Sequence, residues 1–356
     1  MNKKLMAVAV AGALAIPGMA FAQSSATLFG TIDLGIKNQS KVNTATGNAS
    51  VTEVSSQNRT SNRWGIKGSE DLGGGLKANF HLEAGYASDT GDHSTGSWDR
   101  GSWLGLSSGS NSVELGYDYT TNFKITAKYD PMSYTYTGIT PVVGFTGVRT
   151  KNMVQGQVGF NGVTLMAQYG MGEVPGQGSA GRNTGIGGYW SGNGLTIGAG
   201  TLQTNDSTGN NKLTQNTIGV AYSMNQFTFR GGLLTQKWDA GYVVSTSAAS
   251  VGIVGGVPAV IPASTKTASM EKSRLAMVGV QYAFSDRVSG RFGYYDVKNT
   301  NPDGKAKLTM LAVDYSLSKA TTAYGELDHK SFSGSATGGT LADGATGIGV
   351  GIVHAF

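Results

Sequence analysis

The sequence predicts an all-β fold, a transmembrane β-barrel of 16 antiparallel strands. Three observations carry this. The chain opens on an export signal, its strands alternate strictly between apolar and polar residues, and its connections sort by length into short and long in turn.

Met1–Ala22 reads as a cleaved secretory signal peptide. Lys3 and Lys4 form its charged start, Leu5–Ile16 its apolar core, Pro17 a break, and Ala20-Phe21-Ala22 the small-x-small cleavage site. The remaining unit, 23–356, is expected to be a single barrel domain. Alternation is clearest where Leu76, Ala78, Phe80, Leu82, Ala84 and Tyr86 interleave with Lys77, Asn79, His81 and Glu83. A period of two puts each set on its own face of one strand. The same reading along the chain gives strands beginning near Ala26, Thr60, Gly75, Ser97, Asn111, Arg149, Val163, Gly181, Gly194, Lys212, Gln226, Met270, Arg287, Lys305, Thr321 and Gly344. An even number closes an antiparallel barrel with both termini on one side.

Short connections fall at Asp71–Gly74, Ser108–Ser110, Asn161-Gly162, Gly192-Asn193, Asn225, Ser285-Asp286 and Ser318–Ala320. Between them lie longer ones, including Lys37–Arg59, Thr120–Val148, Asp239–Ser269 and Phe332–Asp343. Barrels of the outer-membrane type have short turns on one side and long loops on the other. Within the long connection after Asp239, the uncharged Ser/Thr/Gly-rich stretch Ala240–Thr265 contains Pro258 and Pro262 and is expected to be loop. Aromatics gather near strand ends, with Tyr222, Phe227, Tyr282, Phe284, Tyr315 and Phe356 beside short turns. Two interfacial girdles have this distribution.

Composition narrows the function classes. Hydrophobic residues are 39% and charged residues 14%. Such a chain suits a barrel whose apolar side chains face lipid and whose polar ones face a lumen. Without Lys3 and Lys4 the formal charge is +3, from 25 basic and 22 acidic residues. That is too weak for nucleic-acid binding. There is no Cys, so no disulfide and no thiolate metal site. His81, His93, His329 and His354 are scattered, so no metal is expected, and no cofactor motif or nucleophile elbow is present.

The segment Asn62–Glu83, NRWGIKGSEDLGGGLKANFHLE, closely resembles the start of the general porins of Gram-negative outer membranes, in particular the trimeric porins of β-proteobacterial type. Leu28–Gly35, Trp98–Leu106, Val113–Tyr119 and Gly347–Phe356 support the resemblance in strand order. It implies a passive diffusion channel for ions and small hydrophilic solutes, a homotrimer set in outer-membrane lipid and lipopolysaccharide, and a third long loop folded into the lumen. That loop would be Thr120–Val148, carrying Lys124, Lys128 and Asp130. A ladder of basic residues on the facing wall would fall on Arg63, Arg100 and Arg149. Alternation adds Lys67 to the lumen face beside Arg63, with Trp64 and Ile66 outward. Arg230 and Arg291 are further lumen candidates. The face of Arg100 depends on whether Trp103 or the Leu104/Leu106 pair points outward. Cations along a narrow water path favour anions.

Three departures weigh against strong anion preference. Tyr117 stands where many relatives have Arg, Val353 and Ala355 replace inward arginines, and Asp118 and Asp130 add negative charge near the proposed constriction. Alternative readings are a substrate-selective channel and a plugged adhesive or structural barrel.

Overall fold

The computed structural model describes residues 25–93, 96–134, 136, 147–247, 250–254, 257–261, 264–267, 271–336 and 339–356. The expected signal peptide, 1–22, lies outside the described residues. The first strands are β1 (Ser25–Thr44), β2 (Gly47–Ser56), β3 (Arg63–Gly73), β4 (Leu76–Gly85), β5 (Gly101–Ser108) and β6 (Asn111–Tyr119). A short helix, α1 (Thr121–Thr126), follows. Next come β7 (Arg149–Phe160), β8 (Val163–Gly170), β9 (Asn183–Gly192), β10 (Leu195–Asn205), β11 (Lys212–Met224) and β12 (Phe227–Trp238). After the short strands β13 (Val243–Ser247), β14 (Ser250–Val254), β15 (Val257–Ile261) and β16 (Ser264–Thr267), the wall resumes with β17 (Lys272–Ala283), β18 (Val288–Thr300), β19 (Gly304–Ser316), β20 (Thr321–Gly334) and β21 (Ala345–Ala355).

Each wall strand pairs antiparallel with the next, and β1 closes the ring by pairing with β21 from Thr31↔Ala355 to Gln39↔Gly347. On its other edge β1 pairs with β3 through its first residues and with β2 through its later ones. β2 and β3 therefore share one place in the wall, and the 17 strands of the sheet make a 16-stranded barrel. The observed strand starts follow the sequence expectation closely, including Asn111, Arg149, Val163, Lys212 and Thr321. At two short turns, Asn161-Gly162 and Asn193-Gly194, both residues take positive φ, the geometry that suits the right-handed twist of a hairpin.

Two expected loops are partly strand. Within 37–59, Val and Thr residues extend β1 and form β2, and the ladder breaks only beyond Ser56. There the Asp33 carboxylate accepts the backbone N–H groups of Arg59 and Thr60, both at 2.7 Å, and so takes donors that a continuous strand would need. In the stretch expected as loop over Ala240–Thr265, β13 pairs with β16 and β14 with β15.

The outer face is apolar and exposed. Ile348, Val350 and Ile352 on β21 are 57%, 59% and 47% exposed and alternate with inward glycines. Such a surface is solvated by acyl chains. The inner face departs from the expectation of a uniformly polar lumen. Leu234, Leu275, Met277, Tyr295, Leu308 and Met310 point inward from β12 and β17–β19 and are nearly fully buried. Ile125, Tyr129, Met132 and Tyr136 of the long loop after β6 pack on them. Apolar side chains lie inside because the loop needs a dry surface to bind.

That loop runs along a trough of glycines. A side-chain carbon at Gly187, Gly198 or Gly200 would meet Ile125 at 2.6, 3.0 and 2.8 Å, at Gly279 it would meet Pro131 at 2.7 Å, and at Gly293 Met132 at 3.0 Å. At Gly219 and Gly232 it would enter the Tyr129 ring. These glycines sit in β9, β10, β11, β12, β17 and β18, so the trough crosses the wall. Hydrogen bonds fix the loop in it. Thr126 Oγ1 lies 2.9 Å from Thr217 Oγ1, the Tyr129 hydroxyl reaches the same Thr217, and Asn122 Nδ2 donates to the Gln215 carbonyl at 3.1 Å.

Candidate functional site

Register places the basic residues. Arg63 stands opposite Thr31, and Lys67 opposite Thr27 and His81. Thr31 and Asp33 are buried on the inner face of β1, on either side of the outward Ile32. Arg63 and Lys67 therefore face the lumen, as alternation predicts. Arg63 Nη1 donates to the Ser61 carbonyl at 3.1 Å, and Lys67 Nζ lies over the Phe29 ring at 5.1 Å.

Arg100 follows a different rule. Leu104 and Leu106 are exposed outward and Trp103 points inward against His81, so parity alone would send Arg100 toward lipid. It precedes β5, however, and its side chain turns back to donate from Nε to Glu83 Oε1 at 2.6 Å. Glu83 is on the inner face of β4, which makes Arg100 a lumen residue through its ion pair. Leaving an arginine on lipid would cost about 2–4 kcal/mol.

Arg149 opens β7 beside the end of β6. Its guanidinium covers the Tyr119 ring at 4.1 Å and donates from Nη2 to the Tyr119 hydroxyl at 2.5 Å. Tyr119 stacks on Phe123 at 4.6 Å, and Phe123 meets Tyr134 edge-on at 4.7 Å. This aromatic ladder ties the arginine to the inward loop. Arg63 lies within electrostatic reach of Glu83, Arg100 and Arg149. Arg63 and Arg100 thus flank the Glu83 carboxylate, and Arg149 stands beyond Arg63 on the Tyr119 ring.

The loop-side residues are engaged differently from their expected roles. Lys124 pairs with Glu114 at 2.7 Å and Asp118 at 2.8 Å and also donates to Gln155, so it anchors α1 to β6 and β7. Asp118 shares this one ammonium with Glu114. Lys128 is exposed, with Nζ 4.7 Å over the Tyr189 ring. Asp130 is buried at 1% exposure and does not present its charge to water. It accepts from the Tyr295 hydroxyl at 3.0 Å and from the Tyr134 backbone N–H at 2.7 Å. Burial pushes its carboxyl up to about 6, against the hydrogen bonds from Tyr134 and Tyr295 and the charge of Arg230. Because the docked loop raises this pKa, protonation favours docking. That stabilisation is complete below the ordinary aspartate value and is lost as pH rises through about 6. Asp130→Asn should therefore gain thermal stability relative to the unsubstituted barrel between pH 4.5 and pH 7.5. Parallel pH profiles for the two proteins would contradict this.

In a second group of charges the sequence points only to Arg291, as a lumen candidate, and not to its partners Arg59 and Asp314. Arg59, in the break between β2 and β3, donates to Asp314 of β19 at 2.7 and 3.0 Å. Arg291 lies 3.5 Å from the same carboxylate, and the Tyr136 hydroxyl donates to it at 3.0 Å. Asp314 thus joins the wall, the strand break and the loop. Asp314→Asn should cost about 2 kcal/mol in thermal or urea unfolding, because it weakens charge-assisted bonds in a partly buried site. An unchanged midpoint would show that the carboxylate has no structural role. A third group joins Lys37 to Glu326 at 2.7 Å and to Asp328 at 3.2 Å across β21. Its strand supplies Gly347 and Gly349 at the crossing, a contact that no local motif signals.

Among the described residues no cluster of three or more His, Cys, Asp or Glu could hold a metal, and no helix is long and apolar enough to cross a membrane. The latter says nothing of strands.

Comparison with known proteins agrees with this architecture. Outer membrane porin protein 32 of Delftia acidovorans is 31% identical over the full length of both chains. The major outer membrane protein P.IB of Neisseria gonorrhoeae is 37% identical over 33% of this chain and 32% of its own. The solved structure of an anion-selective porin from Comamonas acidovorans superposes with a TM-score of 0.75 at 24% identity, covering 94% of this chain and 100% of that one. The Gram-negative porin family profile matches residues 7–335. With the closed strand ladder and the charged inner face, this makes the chain a member of the Gram-negative porin family, a channel-forming barrel of the outer membrane.

Proposed function

We propose that the chain forms a passive channel with a preference for small hydrophilic anions, assembled as a homotrimer from exported chains that begin at Gln23. The observation that carries this reading is the gathering of Arg63, Arg100 and Arg149 on one inner face, where Arg100 is paired with Glu83 and Arg149 is held on Tyr119. Lys67 extends the positive wall along β3. Each positive charge lowers the energy of a passing anion and raises that of a cation. The constriction lies between this wall and the loop that occupies the glycine trough. The acids that argue against anion preference are partly offset. Asp118 is paired with Lys124, and Asp130 is buried. The description of the Comamonas acidovorans structure as anion-selective supports the same direction.

Liposome swelling with solutes of matched size tests the reading. Anionic solutes should enter faster than cationic ones, and neutral solutes should slow steadily with size without saturating. Faster entry of cations would overturn the proposed preference, and no entry from correctly inserted protein would overturn the open channel.

A further inference from the structure

The arginine cluster does not end in polar wall. One step further along the inner face lies a row in which Lys67 of β3, His81 of β4 and Trp103 of β5 stand opposite one another. His81 stacks on Trp103, with centroids 5.7 Å apart and planes 11° from parallel. On its other side it meets Phe29 at 5.3 Å, and Lys67 Nζ sits over that phenyl ring. All three rings are partly exposed. The row continues to Gly116 of β6, which contributes no side chain beside the indole. His81 Nε2 is 3.5 Å from Glu83 Oε2, so the rings begin where the ion pair of Arg100 ends. Residues two apart on a strand are separated by about 7 Å, which matches a ring carrying one carboxylate.

We propose that this patch is a binding step for planar aromatic carboxylates of the benzoate class, with the carboxylate on Arg100 and the ring stacked against Trp103. The proposal rests on the reading of this wall as an anion path and names the class of anion it favours. A water path needs only charged and polar groups to conduct small ions. A stack of three rings flanked by a lysine and by arginines adds what a small ion cannot use, namely a π-face beside a positive charge. Lys67 at the far side offers the carboxylate a second partner, so a solute could pass on without a deep trap.

The test uses the refolded channel in a planar bilayer carrying potassium chloride current. Benzoate is compared with cyclohexanecarboxylate, which has the same charge and a similar size but no π-face. Benzoate should reduce the current half-maximally at a concentration about two- to tenfold lower, the range an aromatic pair contributes beyond its buried area. In Trp103→Leu, whose open channels are identified by their chloride steps, that difference should vanish. Equal effects of the two acids on the unsubstituted channel, or a benzoate advantage that survives in Trp103→Leu, would overturn the proposal. Chloride preference is read separately from the reversal potential in the absence of either acid. Its failure would count against the anion path rather than against the stacking site.

Discussion

Replacing Arg63, Arg100 and Arg149 together by glutamine is expected to lower the chloride-to-potassium permeability ratio by about tenfold and to move the reversal potential toward the cation side. A unit charge about 4 Å from an ion in water contributes about 1 kcal/mol, so three charges along one path change the ratio of permeating ions strongly even after screening by salt. The triple variant also leaves Glu83 without its arginine neighbours, and Glu114 and Asp118 still outnumber Lys124 on the adjacent strand. The single variants should differ. Arg100→Gln frees the Glu83 carboxylate and should shift selectivity more than Lys67→Gln, whose ammonium lies further along the wall over Phe29. A triple variant with unaltered reversal potential would place the selectivity elsewhere in the lumen.

The second large effect belongs to the trough. Gly219→Leu is expected to displace Tyr129, cost about 3 kcal/mol in thermal stability and change single-channel conductance. The added side chain would occupy the place of the Tyr129 ring, and Gly232 on the neighbouring strand leaves that ring no alternative wall residue to displace. Overpacking of a tight site costs about 1–3 kcal/mol, and the loop loses its Thr217 hydrogen bonds as well. Tyr129→Ala alone should also destabilise, by leaving a cavity. Combined with Gly219→Leu it should cost less than the sum of the two, because removing the ring relieves the clash and the leucine fills part of the cavity. Strict additivity in that double-mutant cycle would mean that the loop does not seat against Gly219.

How much of this was legible in the sequence follows from where the information is local. Period-two alternation is local, so the inward face of Lys77, Asn79, His81 and Glu83 could be read directly, as could Arg63 and Lys67. Hairpin turns are local too, and Asn161-Gly162 stands where expected. Arg100 was ambiguous because it precedes its strand, where an ion pair rather than the pleat decides its direction. The burial of Asp130 depends on Tyr295, far away in the chain, and no pattern around Asp130 announces it. The glycines were visible only as abundance. Their meaning appears when β9, β10, β11 and β12 lie side by side and one loop crosses them all. The same holds for the apolar inner wall, whose residues alternate as lipid-facing ones would. A strand with apolar residues on both faces, such as β19 with Leu308 and Met310 inward and Leu311 and Val313 outward, carries no mark of which face the loop will cover.

The most direct test of the account is single-channel recording of residues 23–356, refolded and inserted in a planar bilayer under a potassium chloride gradient. Conductance steps in groups of three and a reversal potential on the chloride side are expected. A reversal potential on the potassium side, from channels that open in the same steps, would contradict the arginine wall as the source of selectivity.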